Sequence, residues 1–72
     1  MEPVTNKEYA PHQQRVVDEK NELQDKCSKL KVFILSNPIF NTLDAEEQTD
    51  LQRQSAVMET YLFILERRIS RF

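Results

Sequence analysis

Apolar positions recur at helical spacing in two separate stretches of the chain. From Val16 a stripe runs through Leu23, Cys27, Leu30 and Ile34, at intervals of 7, 4, 3 and 4 residues. That spacing keeps one face of a helix apolar and gives it a heptad-like seam. Lys20 stands in the gap of the stripe, where its methylenes can lie along the seam. A second stripe, Leu51, Ser55, Met58, Leu62, Leu65, Ile69 and Phe72, is spaced 4, 3, 4, 3, 4 and 3. The spans Val16–Ile34 and Leu51–Ile69 are each eighteen residues from end to end, about 27 Å at helical rise. Equal lengths joined by a short connection predict an all-α fold, an antiparallel two-helix hairpin.

The punctuation between the stripes sets the boundaries. Residues 1–10, MEPVTNKEYA, carry no period and are read as a flexible arm. Pro11 suits the first position of a helix, where its missing N–H costs nothing. The first helix is expected over about 11–36, because Asn37 precedes Pro38 and is pushed out of the α region. A connection over 37–44 follows, with a short helical turn that carries Ile39 and Phe40. Asp44 is a good N-cap, and Glu47 stands where a capping-box partner belongs. The second helix is expected over about 45–71, its last turns complemented by Arg67, Arg68 and Arg71. Opposite charges four apart (Arg15/Glu19, Glu22/Lys26, Asp25/Lys29) support the first helix's solvent face.

Two seams do not account for all the apolar residues. With Leu62 at zero, Met58, Leu65 and Ile69 fall within about 60° at 100° per residue. Val57, Tyr61 and Ile64 fall about 100–160° away on one flank, and Phe63 lies about 100° away on the other. Val17, Val32 and Leu35 likewise turn to the back of the first helix. Each such side chain left in water forgoes roughly 1.5–3 kcal/mol. Val57, Tyr61, Ile64, Phe63, Val17, Val32 and Leu35 are therefore expected to form an interface between copies, in a helical-bundle homo-oligomer. The competing expectation is that the turn at Ile39 and Phe40 folds back and covers part of this surface.

Composition strengthens the case for assembly. A chain of 72 residues makes one domain at most, and a domain of this size buries only about 60% of its unfolded surface. Small scaffolds usually need disulfides, a metal or a partner. Cys27 is the one cysteine and His12 the one histidine, so neither an internal disulfide nor a four-ligand zinc site can form within one chain. A lone cysteine, with no apolar N-terminal segment, points to a reducing cytoplasm. The longest apolar runs are Val32–Leu35 and Tyr61–Leu65, far short of the ~20 residues needed to cross a bilayer. A net charge of −2 argues against nucleic acid as a partner. Glycine is absent, which excludes phosphate-cradling glycine loops.

No residue pattern names a reaction, a catalytic residue, a cofactor or a metal, and a non-enzymatic protein is expected. Cys27 lies in the seam, where a thiol behaves as a small hydrophobe. The carboxylates at Asp44, Glu46, Glu47 and Asp50 are explained by helix capping. One constellation is chemically suggestive. Arg53, Thr60, Arg67 and Arg71 share the face of the second helix opposite Leu62, and guanidinium forks with a hydroxyl suit phosphate. In a symmetric oligomer two copies of the row could grip a small dianion, with Tyr9 and His12 available to stack on a base. A solvated arginine face is the simpler reading of the same residues.

Longer runs carry a resemblance. Pro11-His12-Gln13-Gln14-Arg15-Val16-Val17-Asp18-Glu19-Lys20 is followed by Glu22-Leu23, Lys26, Lys29-Leu30 and Phe33-Ile34. Then come Asn37-Pro38-Ile39-Phe40, Leu43, Glu46-Glu47-Gln48, Leu51, Met58, Tyr61, Ile64-Leu65, Arg68-Ile69 and Phe72. Over residues 11–72 this resembles a family of very small tailed-phage and prophage proteins, related to a short protein of crAss-like phages. The resemblance implies a helical hairpin encoded as an accessory gene and acting in the cytoplasm of a bacterial host. It carries over no active residues. By analogy with other small helical-hairpin phage proteins, the expected function is to sequester an anionic nucleotide signal of host defence, of the cyclic nucleotide or cyclic ADP-ribose type. The alternative expectation is a protein-interaction module whose surplus apolar face docks a host or phage protein.

Overall fold

The computed structural model describes residues 8–72; of the arm expected over 1–10, residues 1–7 lie outside the described part. Two α-helices, α1 (Pro11–Ser36) and α2 (Ala45–Ser70), are joined through a 3₁₀ turn at Pro38–Thr42. They pack along one another as an antiparallel hairpin: Lys31 of α1 pairs with Glu59 of α2, while Tyr9 meets Phe72 at the open end.

Each element starts and stops for a local reason. Pro11 occupies the first turn of α1, and the Gln13 side chain turns back to accept from the Ala10 N–H at 2.9 Å. Asn37 leaves the helix with extended backbone angles, as the following proline requires. Its side-chain oxygen then accepts from the Ile39 N–H and caps the 3₁₀ turn. Asp44 Oδ1 accepts from the Glu47 N–H at 2.8 Å and starts α2. Of the charge pairs expected on α1, Asp25 and Lys29 meet at 3.0 Å.

The core is a single seam. Val16, Cys27 and Leu65 are buried in it, with Ser55 beside them and Leu65 fully enclosed. Lys20, Leu23, Leu30, Ile34, Leu51, Met58, Leu62 and Ile69 are half-buried along its edges. Phe40 departs from its expected place among the uncovered residues of the connection. It is buried, with its ring edge-on to Phe33 at 6.1 Å between centroids. The turn does fold back, and Gln48 holds it there by donating from Nε2 to the carbonyls of Phe40 and Leu43, both at 3.0 Å. The cover stops at Phe40, because its neighbour Ile39 remains exposed. Val17, expected on the outer face, is half-covered within the hairpin.

The surplus surface is extensive. Val32, Leu35, Ile39, Val57, Tyr61, Phe63 and Ile64 are all exposed, from 41% at Tyr61 to 76% at Leu35. Seven large apolar side chains left wet forgo, at roughly 1.5–3 kcal/mol each, as much as the whole stability of an ordinary domain.

Candidate functional site

The arginine row stands on the side of α2 turned away from α1, and all its members are exposed. Their surroundings differ. Arg53 lies 3.6 Å from the Asp50 carboxylate, so part of its charge is answered locally. The Thr60 hydroxyl donates to the Ala56 carbonyl at 3.2 Å, leaving lone pairs outward rather than the donor a phosphate needs. Arg67 places its guanidinium over the Phe63 ring, 5.8 Å from the centroid. That contact fixes one face of the fork and leaves its edge N–H groups to solvent. Arg71 is the C-cap of α2; its N–H donates to the Arg68 carbonyl, and the next N–H, of Phe72, donates to the Ile69 carbonyl.

The row is therefore not one site within a chain. Arg53 and Arg71 are about 27 Å apart at helical rise, too far for any small dianion to bridge. The hairpin instead gathers the C-terminal part of the row at its open end. There the Tyr9 and Phe72 rings meet edge-to-face, with centroids 5.9 Å apart, a stable aromatic arrangement. His12 is exposed in the first turn of α1, at the helix end whose dipole favours anions. Tyr9, His12, Arg67 and Arg71 thus share one end of the molecule, and Arg53 and Thr60 stand apart from them. Phe72 is the member that sequence reasoning placed only in the seam, since nothing in a linear pattern shows that residue 9 returns to residue 72.

A second feature lies toward the closed end. Lys31, Ile34 and Leu35 of α1 and Gln52 and Ser55 of α2 line an open hollow of about 330 Å³. Ser55 is the small residue in an otherwise bulky stripe, and the space it leaves is the hollow's floor. Lys31 at the rim is ion-paired with Glu59 across the helices. The Glu59 carboxylate, by hydrogen bonding first and by charge second, raises the Lys31 pKa above the ordinary lysine range. The sequence signal for this hollow was Ser55 itself, a hydroxyl in a stripe of Leu, Met and Ile.

Among the described residues, no group of His, Cys, Asp and Glu could hold a metal ion. Cys27 is a buried free thiol. No helix among them is long and apolar enough to cross a membrane.

A family model described as Sequestin matches residues 10–71. The match takes in both helices and the turn between them, and the chain belongs to the Sequestin family. No curated protein and no solved structure matches this chain.

Proposed function

We propose that this Sequestin-family hairpin is a non-enzymatic, homo-oligomeric protein that binds and sequesters an anionic nucleotide signal in pockets between copies. We further propose that it is a phage or prophage accessory protein which blunts host defence in the bacterial cytoplasm. The family name is consistent with a sequestering role. The observation that carries the reading is the open end, where the last turns of α2 bring Arg67 and Arg71 to the same end of the hairpin as the Tyr9–Phe72 ring pair, on a scaffold with apolar surface to spare. Arginine forks answer phosphate, aromatic edges answer a base, and the exposed faces supply the contacts between copies. One hairpin offers such a ligand a surface; two brought together around an axis would enclose it.

Titration calorimetry of the assembled protein against cyclic di- and trinucleotides and cyclic ADP-ribose isomers tests the reading. Saturable binding of one of them is expected, weakened about 10–100-fold by Arg67→Ala or Arg71→Ala, the loss expected for one charge-assisted contact. Absence of heat with every compound, from intact oligomer, would overturn it.

The exposed Val57, Tyr61 and Ile64 face also supports a second reading, a module that docks a host or phage protein by helix-in-groove packing. A monomer at micromolar concentration with this face open would favour that reading over the first.

A further inference from the structure

The outer side of α2 carries a second regular stripe, with Val57 and Tyr61 at its middle. Toward the helix start it continues through Gln54, Asp50 and Glu47. Toward the helix end it continues through Ile64, Arg68 and Arg71. From Glu47 to Arg71 the intervals are 3, 4, 3, 4, 3, 4 and 3, the repeat of a coiled-coil seam. Each position comes one residue before a position on the side facing α1, as Val57 precedes Met58 and Tyr61 precedes Leu62. The stripe is therefore turned about 100° from the hairpin's own seam, and every residue in it is exposed.

The order of side chains along the stripe selects its partner. Read from either end, the intervals are the same, but the chemistry reverses. Two carboxylates stand at the start, apolar side chains in the middle, and two guanidinium groups at the finish. A second α2 laid antiparallel, on a two-fold axis midway between Val57 and Tyr61, matches it position for position. Val57 then faces Tyr61 of the other copy, and Gln54 faces Ile64. Asp50 faces Arg68, and Glu47 faces Arg71, so each carboxylate meets a guanidinium. Parallel pairing would oppose like charges at both ends, an arrangement that interfaces select against. Self-complementarity under a two-fold axis is what an isologous contact requires.

Arg53 and Arg67 lie on the rim of the stripe. In this register Arg53 of one copy comes near Arg67 of the other. Solvent and the Asp50 carboxylate, 3.6 Å from Arg53, offset that approach of like charges. Two members of the arginine row, about 21 Å apart within one chain, are thereby brought to the same place.

We propose that this stripe is an antiparallel α2-to-α2 contact between two copies of the chain, apolar at its centre and closed at each end by Asp50–Arg68 and Glu47–Arg71 pairs. The proposal rests on the homo-oligomeric part of the function above and names its contact.

Sedimentation equilibrium on full-length charge-reversed forms tests it. Asp50→Arg and Arg68→Asp each set like charges against one another twice across the axis, and each is expected to weaken assembly about 10–100-fold. The double variant Asp50→Arg/Arg68→Asp restores opposite charges and is expected to recover the wild-type mass. Both side chains are exposed, so circular dichroism should show the hairpin's helices intact. Should either single variant unfold, Val57→Asp, which sets a carboxylate against Tyr61 of the other copy, decides in its place by lowering the assembled mass. An oligomer unmoved by these substitutions, or single losses that the double variant does not repair, would overturn this contact and leave the homo-oligomeric reading standing. A wild-type chain that stays monomeric would overturn both.

Discussion

Ser55 and Leu65 belong to the same stripe of α2, ten residues apart, and they do opposite things. Leu65 is fully enclosed and holds the hairpin together, whereas Ser55, equally turned inward, leaves space above it. Truncating Leu65 to Ala should cost about 2–5 kcal/mol in urea unfolding, since the helices can only partly collapse into the gap. A loss within experimental error would mean that the seam does not carry the stability. Phe40→Ala should cost about 3–5 kcal/mol for the same reason. Both stripes were legible in the sequence, because burial along a seam follows from spacing alone. The exposure of Val57, Phe63, Val32 and Leu35 was legible too, from the angle each makes with the seam. Phe40 was not. Its burial depends on how a five-residue turn folds back on Phe33, which no periodicity encodes. Tyr9 was likewise beyond reach, because its ring partner lies at the far end of the chain.

At the scale of the elements, polar groups set where the helices begin and how they are held in register. Asp44→Ala removes the bond to the Glu47 N–H and should lower stability by roughly 1 kcal/mol, the usual worth of an N-cap. This device was readable in the sequence, as was Asn37-Pro38, since both act over three residues or fewer. The Gln48 clasp was not, for it joins α2 to two carbonyls of the turn that the chain brings near only after folding.

The bridge between α1 and α2 makes a pH prediction. Lys31 has a raised pKa when folded because of Glu59. The contribution of the pair is therefore complete below the unfolded lysine value and is lost as pH rises through the raised folded value. Thermal melts of wild type and Glu59→Gln should differ slightly at neutral pH and converge in strongly alkaline buffer. The difference should also shrink with added salt, because both side chains are about half exposed. A gap that widens with rising pH would contradict the assignment.

For the molecule as a whole, the two-helix architecture follows from the sequence, and so does its insufficiency. A hairpin offers one seam, one seam buries one stripe, and this chain has apolar residues on three sides of its second helix. Turning back the connection hides Phe40 and no more of the large side chains named above. Tyr9 reaches the end of the molecule that carries Arg67, Arg71 and Phe72 only when the helices run antiparallel. The account rests on the claim that a second copy covers the exposed flanks. Sedimentation equilibrium of the wild-type protein at low micromolar concentration and near-physiological salt tests that claim most directly. The expected result is a helical, cooperatively melting species at two or more times the 8.6 kDa chain mass. A folded species that holds at a single chain mass across the concentration range would contradict it.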